Sequence, residues 1–251
     1  MADRPILFSG PMIKALIAGR KTQTRRLIGF PGIEKVVDFV KVATDNAGRP
    51  VYEMKDAAGQ IVSRPAGKGL IDYHFSPRIG VGDRLWVRET WSHSGDHVFS
   101  ISEARRALTG WAFYQADENK DFPHAKYWPS IHMPKEFSRL TLIVTDVRIE
   151  RLQDISEDDA MAEGVPEAME GNVGDEIYCP TCRGDGVHGA FGANYGVTEV
   201  DCTDCTTAKL RYRNLWDHIN GAGSWDANPF VAAYTFRVIK QNIDRIDREA
   251  A

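Results

Sequence analysis

The chain has 251 residues, a net charge of −4, and 43% hydrophobic against 26% charged residues. This balance is typical of a globular protein with its own core, and it excludes a chain that is disordered or fibrous throughout. No apolar run approaches the roughly 18 residues that a membrane helix needs. Residues 1–10 contain an acid, an arginine and a proline where a leader would keep an apolar core, so we expect a cytoplasmic protein without membrane contact.

The first part of the chain predicts a strand followed by a helix. The apolar run Pro5–Phe8 suits a buried strand, and Ser9 can cap the helix that follows it. Pro11 in the first turn and Gly19 after the last apolar residue mark the two ends of that helix. Residues 31–75 are rich in Gly, Pro, Asp and Lys with weak periodicity, so we expect an irregular, insertion-like hairpin region there.

The remaining chain is dominated by predicted strands. Residues 84–91 show strand periodicity, in which Leu85, Val87 and Glu89 alternate with Trp86, Arg88 and Thr90. Trp111–Tyr114 is a further candidate strand. The run Leu140–Ile149 predicts the strongest strand in the chain, and Phe230–Ile239 predicts the last one.

Two short helices are predicted before the last strand. Ser156, followed three residues later by Asp159, resembles a helix start, and the helix itself covers 158–163. Residues 206–219 place leucine, tryptophan and isoleucine at helical spacing. Because strands dominate and helices are short, we expect the α+β class: a single domain over 1–251, built as a small mixed β-barrel with packed helices.

All four cysteines fall into two Cys-x-x-Cys pairs. This spacing is typical of a four-thiolate zinc site, since each pair presents two thiolates on one turn and two turns complete a tetrahedron. Disulfides and a redox pair are the alternatives, but a cytoplasmic chain disfavours disulfides and a redox enzyme needs only one pair. Four protein ligands leave no open position, so the predicted zinc is structural and holds an insertion over 175–208. The predicted ligands are Cys179, Cys182, Cys202 and Cys205.

Charge is unevenly distributed along the chain. Residues 1–30 carry six basic side chains against one acidic, a net of +5, whereas residues 150–176 carry one basic against ten acidic, a net of −9. Two solvated faces would explain both runs. The alternative is that the basic segment faces phosphate while the acidic stretch supplies one carboxylate to a site.

The basic segment packs four cations and two threonines into residues 20–26. At the end of a helix such cations suit the carbonyl dipole. Crowding offers a second interpretation, because a lysine among arginines has a destabilised ammonium and is more readily neutral near pH 7. In that case Lys21 acts as a base and Thr24, three residues later, is a candidate nucleophile.

Several motifs follow one another in a set order. They are Gly19-Arg20-Lys21-Thr22-x-Thr24-x-Arg26, Gly82-Asp83-x-Leu85-Trp86-Val87, Val144-x-x-Val147 and Asp159-Ala160-x-x-Glu163-Gly164. In this order they resemble the ASCH domain. A second set, comprising Arg88-Glu89-Thr90-Trp91, Ile131-His132-Met133-Pro134 and Ser224-Trp225-Asp226-x-Asn228-Pro229, resembles ASCH proteins of the bacteriophage and prophage type. The resemblance covers nearly all of the chain outside 31–75 and the cysteine insertion, and it implies a PUA-like β-barrel fold with an RNA-related function.

One branch of the ASCH proteins that the chain resembles is a small bacterial amidohydrolase that removes the acyl group from N4-acetylcytidine. The resemblance implies a catalytic lysine, threonine and glutamate, which fall by motif on Lys21, Thr24 and Glu163. The chain departs from that branch in its greater length, its cysteine insertion and the residues around the site. These departures affect the inference about the substrate more than the inference about the type of reaction.

Three functional interpretations follow. The chain is an amidohydrolase acting on an N4-acylcytidine-like nucleobase, a non-catalytic PUA-type module that binds RNA or nucleotides, or a ribonuclease. In each case the partner is a modified nucleoside, a nucleotide or RNA. The candidate substrate-binding residues are cations for phosphate, aromatic rings for base stacking and one carboxylate: Arg20, Arg25, Arg26, Trp86, Glu89 and Trp91. Core packing is the alternative for the two tryptophans.

Overall fold

The computed structural model describes residues 2–30, 32–67, 70–95, 97–117, 126–165, 179–183, 185–191 and 197–246. The predicted α+β class is confirmed, because the described residues combine short helices with several sheets. The predicted barrel is not found: within the described ranges, the sheets form no closed barrel. A helix long and apolar enough to cross a membrane does not occur in these ranges.

The helices and strands have the following bounds. The helices are α1 (Gly10–Ile17), α2 (Ile101–Arg106), α3 (Glu157–Ala162) and α4 (Ala208–Asn220). The strands are β1 (Asp3–Leu7), β2 (Gln23–Leu27), β3 (Asp38–Thr44), β4 (Pro50–Lys55), β5 (Arg64–Gly67), β6 (Leu70–Asp72), β7 (His74–Phe75), β8 (Arg84–Arg88), β9 (Trp91–His93), β10 (Ala112–Tyr114), β11 (Thr141–Arg151), β12 (Val187–Phe191), β13 (Val197–Asp201) and β14 (Phe230–Ile239).

The chain divides into two compact units. The first contains Met1–Gly19, Gly82–Val144 and Phe236–Ala251, and the second contains Arg20–Val81 and Thr145–Thr235. The single domain over 1–251 stays a prediction.

The first unit has a parallel strand pair at its centre. β1 lies parallel to β8, with Ile6 opposite Val87, and β8 also pairs antiparallel with the start of β11. Both β8 faces are buried over Leu85–Val87, which is why this strand reads as nearly continuous apolar sequence. A separate β9–β10 hairpin packs over a core that contains Trp91, whose side chain is fully buried.

The second unit contains β2, which pairs antiparallel with β14 and sets Thr24 opposite Tyr234. Residues 31–75, predicted to be irregular, are more regular than expected: β3, β4 and β7 form a three-stranded sheet, and β5 and β6 form a hairpin. Phe39 explains the order in this region, because its ring packs edge-on against that of Phe230 with centroids 4.7 Å apart. The prediction that these residues are an insertion stays a prediction.

Helix α3 is short and capped at both ends. The Ser156 hydroxyl accepts the Asp159 amide N–H, which confirms the predicted helix start. At the other end Glu163 caps the helix, and Gly164 follows with a φ of +86°, a conformation that favours glycine. Helix α4 packs against α3, so the two helices together present the carboxyl end of α3 to β2.

Candidate functional site

A buried lysine–glutamate pair forms the centre of the candidate site. Lys21 lies just before β2, and its side chain is only 2% exposed. Its Nζ donates to the Glu163 carboxylate oxygen Oε2 at 2.8 Å and to the Glu163 backbone carbonyl at 2.7 Å. The structure therefore brings together two of the three residues that the resemblance implied, although 142 positions separate them.

A backbone hydrogen bond next to the pair holds the chain segments of Lys21 and Glu163 together. The Thr22 N–H donates to the Ala162 carbonyl at 2.8 Å, so the segment entering β2 is fastened to the last turn of α3. The same contact satisfies one of the carbonyls that a helix end leaves without an intrahelical partner. Lys21 and Glu163 thus flank a fixed backbone junction.

Arg25 is the second cation of the site, and its side chain is fully buried. Its guanidinium meets three carboxylates: Nη1 lies 3.0 Å from Glu163 Oε1, Nη2 lies 3.0 Å from Asp159 Oδ2, and Nε donates to Glu150 Oε1 at 2.8 Å. A planar guanidinium suits this task because its donors form a rigid fork. Arg25, predicted to bind substrate, is engaged with carboxylates of its own chain.

Two more side chains complete the network around Asp159. Gln23 Nε2 donates to Asp159 Oδ1 at 2.7 Å, and Arg148 Nη2 donates to Asp159 Oδ2 at 2.6 Å. Arg148 also reaches Glu150, with Nε 3.3 Å from Oε2. Every carboxylate around Arg25 therefore has a hydrogen-bonded cation, as buried charges require.

Burial controls the protonation of Lys21. Loss of solvation lowers the pKa of the ammonium, and the neighbouring Arg26 and Arg25 lower it further, whereas the Glu163 carboxylate acts in the opposite direction. The resulting pKa of Lys21 lies below the ordinary lysine value. A neutral amine at this position is therefore easier to form than on an exposed lysine.

Tyr212 of α4 adds a polar group beside the site. It is buried, and its pKa is raised well above 10 by loss of solvation and then by the Glu163 charge. Its phenol is therefore neutral at physiological pH and retains its proton.

Thr24 is buried in β2 but stands apart from the pair. Successive residues of a strand point to opposite faces, so Thr24 faces away from Gln23 and Arg25. Among the described residues, the Thr24 hydroxyl makes no hydrogen bond to Lys21 or Glu163. Arg20 is half-buried, and Arg26 is partly open to solvent, although loss of solvation lowers the pKa of its guanidinium.

The other candidates lie in the first unit and are buried. Trp91 packs against the rings of Trp128 and Phe137, each with centroids 4.8 Å away, and Trp86 lies under the Arg88 guanidinium at 4.5 Å. This packing favours the core interpretation of both tryptophans.

Glu89 is 2% exposed and forms a two-point ion pair with Arg139, with distances of 2.9 and 2.8 Å. Both of its oxygens are therefore occupied by a neighbour in the same unit.

The four cysteines form a candidate metal centre. Their sulfurs all lie within 4.8 Å of one another, and none is in a disulfide. Antiparallel pairing of β12 with β13 brings the two pairs together, and the Cys202 N–H donates to the Gly186 carbonyl at 2.8 Å. Zn–S bonds of about 2.3 Å in a tetrahedron put sulfurs about 3.8 Å apart. The observed separations, 3.6 Å for Cys179–Cys202 and 3.5 Å for Cys182–Cys205, are close to that value.

Parts of three predicted segments fall on residues outside the described ranges, the first being residues 31, 68 and 69 of the region 31–75. Residues 175–178, 184 and 192–196 of the predicted insertion are among them, as are residues 166–176 of the acidic stretch.

Sequence reasoning missed Asp159, Glu150, Gln23 and Tyr212 as members of the site. A signal existed for Asp159, since it lies four residues before Glu163 and therefore on the same helix face. Another existed for Glu150, which shares a strand face with Arg148. Nothing in the spacing pointed to Tyr212.

Comparisons with protein-family models, curated proteins and solved structures find no match.

Proposed function

We propose that this chain hydrolyses the amide bond of an N-acylated nucleobase of the N4-acylcytidine kind, on an ASCH-type, PUA-like scaffold. The observation that carries the proposal is the pair of Lys21 and Glu163. A lysine and a glutamate that are remote in sequence are joined at 2.8 Å in a buried position, and burial lowers the pKa of the lysine. Such a group is suited to proton transfer, because its neutral form is easier to reach than that of an exposed lysine.

The proposed chemistry uses the three residues named from the motifs. Lys21, in its neutral form, takes the proton of the Thr24 hydroxyl as its oxygen attacks the acyl carbonyl. The resulting Lys21 ammonium returns that proton to the departing amine as the C–N bond breaks. Water then hydrolyses the threonine ester and releases the free acid. In the attack step the neutral Lys21 amine keeps its N–H donation to Glu163 and accepts the Thr24 proton through its lone pair, which requires the Thr24 hydroxyl to approach Nζ.

Two further groups have roles in this scheme. Glu163 fixes the position of the Lys21 amine through a charge-assisted hydrogen bond. Arg26 is exposed next to Thr24 on β2, so its guanidinium can stabilise the oxyanion, a contribution of about 3 kcal/mol per donor.

The metal centre has a separate role in the proposal. We assign zinc to Cys179, Cys182, Cys202 and Cys205, because thiolates at this spacing are the preferred ligands of structural zinc. Four protein ligands leave no position for water, so the ion holds the β12–β13 hairpin and the start of α4 and takes no part in hydrolysis.

The test is release of free acid from N4-acetylcytidine and larger N4-acyl analogues. Lys21→Met and Glu163→Gln should each lower kcat by at least about 100-fold, because members of such a unit act together. Thr24→Ser should keep partial activity if its hydroxyl attacks, whereas Thr24→Val should be inactive. Full activity in Thr24→Val would assign the attack to water with Glu163 as the base. Failure of the wild type on the whole panel would overturn the proposal.

A second candidate function is a PUA-type module that binds RNA or nucleotides without catalysis. The observation that favours it is the accessibility of Arg20 and Arg26 in a segment of net charge +5. Binding through these cations should weaken as salt rises. Thr24→Val separates the two functions, since it should leave binding intact while abolishing hydrolysis.

A further inference from the structure

The Arg25 guanidinium contacts the oxygen of Glu163 that Lys21 does not use. Lys21 Nζ takes Oε2 and Arg25 Nη1 takes Oε1, at 2.8 and 3.0 Å. The carboxylate is therefore held between two cations on opposite sides. Its plane and its distance from Lys21 are set by both partners together.

We propose that Arg25 is a positioning residue that acts through Glu163: by holding Oε1, it fixes the orientation in which Oε2 meets Lys21. The proposal rests on the function proposed above, because it concerns the same lysine–glutamate pair. It assigns Arg25 a role different from the substrate contact that the basic motif predicted.

The remaining donors of Arg25 explain why it can act as a fixed point. Nη2 and Nε are tied to Asp159 and Glu150, which lie on α3 and β11. Because the guanidinium is anchored to two elements, it cannot follow Glu163 if that side chain turns. A lysine has a single ammonium on a flexible stem and cannot provide the same fork.

The charges that face Lys21 determine the sign of the effect. Among the residues that the structure describes, they are Glu163 from the end of α3, and Arg25 and Arg26 from β2. Arg25 opposes the Lys21 ammonium in two ways: it repels it directly, and it shares the Glu163 charge that would otherwise stabilise it. Removal of the Arg25 charge ends the repulsion and also leaves the whole Glu163 charge to Lys21. Both changes stabilise the Lys21 ammonium.

Arg148 provides a matched control. It donates to Asp159 and Glu150, the same two carboxylates that anchor Arg25, with distances of 2.6 and 3.3 Å. Within the described part of the chain it makes no hydrogen bond to Glu163. Arg148→Gln therefore removes a cation from the network without touching the pair.

The experiment is an NMR titration of the Lys21 side chain in the full chain with isotope-labelled lysine, with the signal assigned by its absence in Lys21→Arg. In Arg25→Gln we expect the midpoint of the Lys21 titration to rise by about one pH unit or more, a tenfold change in its protonation equilibrium. Arg148→Gln should leave that midpoint in place. Arg25→Lys should give an intermediate rise, because it keeps a charge but loses the fork.

The proposal is overturned if the midpoint stays in place in folded Arg25→Gln, or if Arg148→Gln moves it equally. If Arg25→Gln does not fold, Arg25→Lys decides: an unmoved midpoint in that variant also overturns the proposal. The titration needs no substrate, so it is independent of hydrolysis. A shifted midpoint in a protein that cleaves no acylated nucleoside would refute the proposed function and leave the role of Arg25 standing.

Discussion

Buried ionisable side chains in this protein are each matched by specific neighbours. In the second unit Glu163 pairs with Lys21 and Arg25, and Arg25 pairs also with Asp159 and Glu150. In the first unit Glu89 pairs with Arg139. Breaking such a pair costs about 3–5 kcal/mol because one charge remains buried without its partner. Substitutions at these positions therefore need a stability measurement beside every functional one.

The first prediction concerns Tyr114, whose phenol is buried and donates to the Phe137 carbonyl at 2.8 Å. Burial, followed by the nearby Glu89 charge, raises the pKa of Tyr114 to about 12. Because the folded pKa exceeds the unfolded value, the stability it contributes is complete below pH 10 and is lost as pH rises through about 12. Ultraviolet titration of tyrosinate should show a component near pH 12 that disappears in Tyr114→Phe.

The control for that prediction is Tyr73→Phe, since Tyr73 is 54% exposed. It should leave the component near pH 12 unchanged. Loss of the component in both variants, or in neither, would contradict the assignment.

For individual residues, the sequence predicted which side chains belong to the site better than it predicted their burial and their contacts. Lys21 and Glu163 could be named because their motifs resemble a known pattern. Arg25 was assigned to substrate because spacing cannot tell a buried cation from an exposed one, and its three carboxylates come from β11 and α3. Trp86 was ambiguous because alternation indicates two strand faces, but here both faces of β8 are buried. Trp91 lies in β9, and its burial comes from packing against Trp128 and Phe137, which sequence spacing does not show.

Among the elements, α3 has the greatest influence on the site, although it has only six residues. A helix this short is marginal by itself, so its caps and its packing against α4 decide whether it forms. Its first turn also carries three acidic residues, which suits the positive end of the helix dipole. Glu163 depends on this helix because it caps its last turn.

The second prediction tests the α3 cap. Ser156→Ala removes the acceptor of the Asp159 N–H and should lower the free energy of unfolding by about 1 kcal/mol. Hydrogen exchange of the α3 amides should accelerate as well.

Ser9→Ala is the matched control, because Ser9 occupies the same position before α1 but its side chain makes no capping hydrogen bond. It should change stability by less than half as much. An equal loss of unfolding free energy in the two variants would show that the capping hydrogen bond of Ser156 does not stabilise α3.

The elements were largely predictable from local signals. β14 begins and ends at the predicted residues, and α1, α3 and α4 begin within two residues of their expected starts. The hairpin region over 31–75 was predicted but its regular strand pairing was not, because that order comes from tertiary contacts such as that of Phe39 with Phe230. Helix α2 was also missed, although the Ser100 hydroxyl accepts the Glu103 N–H and so gives the same kind of start signal as Ser156 does for α3.

For the whole molecule, the third prediction concerns the metal. The protein purified under reducing conditions without chelator should contain about one zinc per chain. Cys179→Ser combined with Cys182→Ser should abolish binding, because two thiolates alone do not complete the site. Elemental analysis measures the content, and a metal-free wild type would contradict the assignment.

The consequence for the fold should be local. Without the ion, hydrogen exchange should accelerate in the β12–β13 hairpin and at the start of α4, where Arg211 Nη1 donates to the Cys205 carbonyl at 3.1 Å. Protection in β1 and β8 should persist, since those strands belong to the first unit. Global unfolding of the zinc-free variant would refute this localised role.

The discontinuous first unit also has a consequence during synthesis on the ribosome. Its third segment, Phe236–Ala251, is fastened by the Thr141 hydroxyl, which donates to the Gln241 carbonyl at 2.9 Å, and by Asn242 Nδ2, which donates to the Ser138 carbonyl at 2.7 Å. At about 5–20 residues per second, roughly 7 to 30 seconds separate the emergence of β8 from that of this segment. Through this interval β8 lacks its contact with residues 243–245, where Ile243 is fully buried, so the first unit cannot complete its core until this segment has emerged.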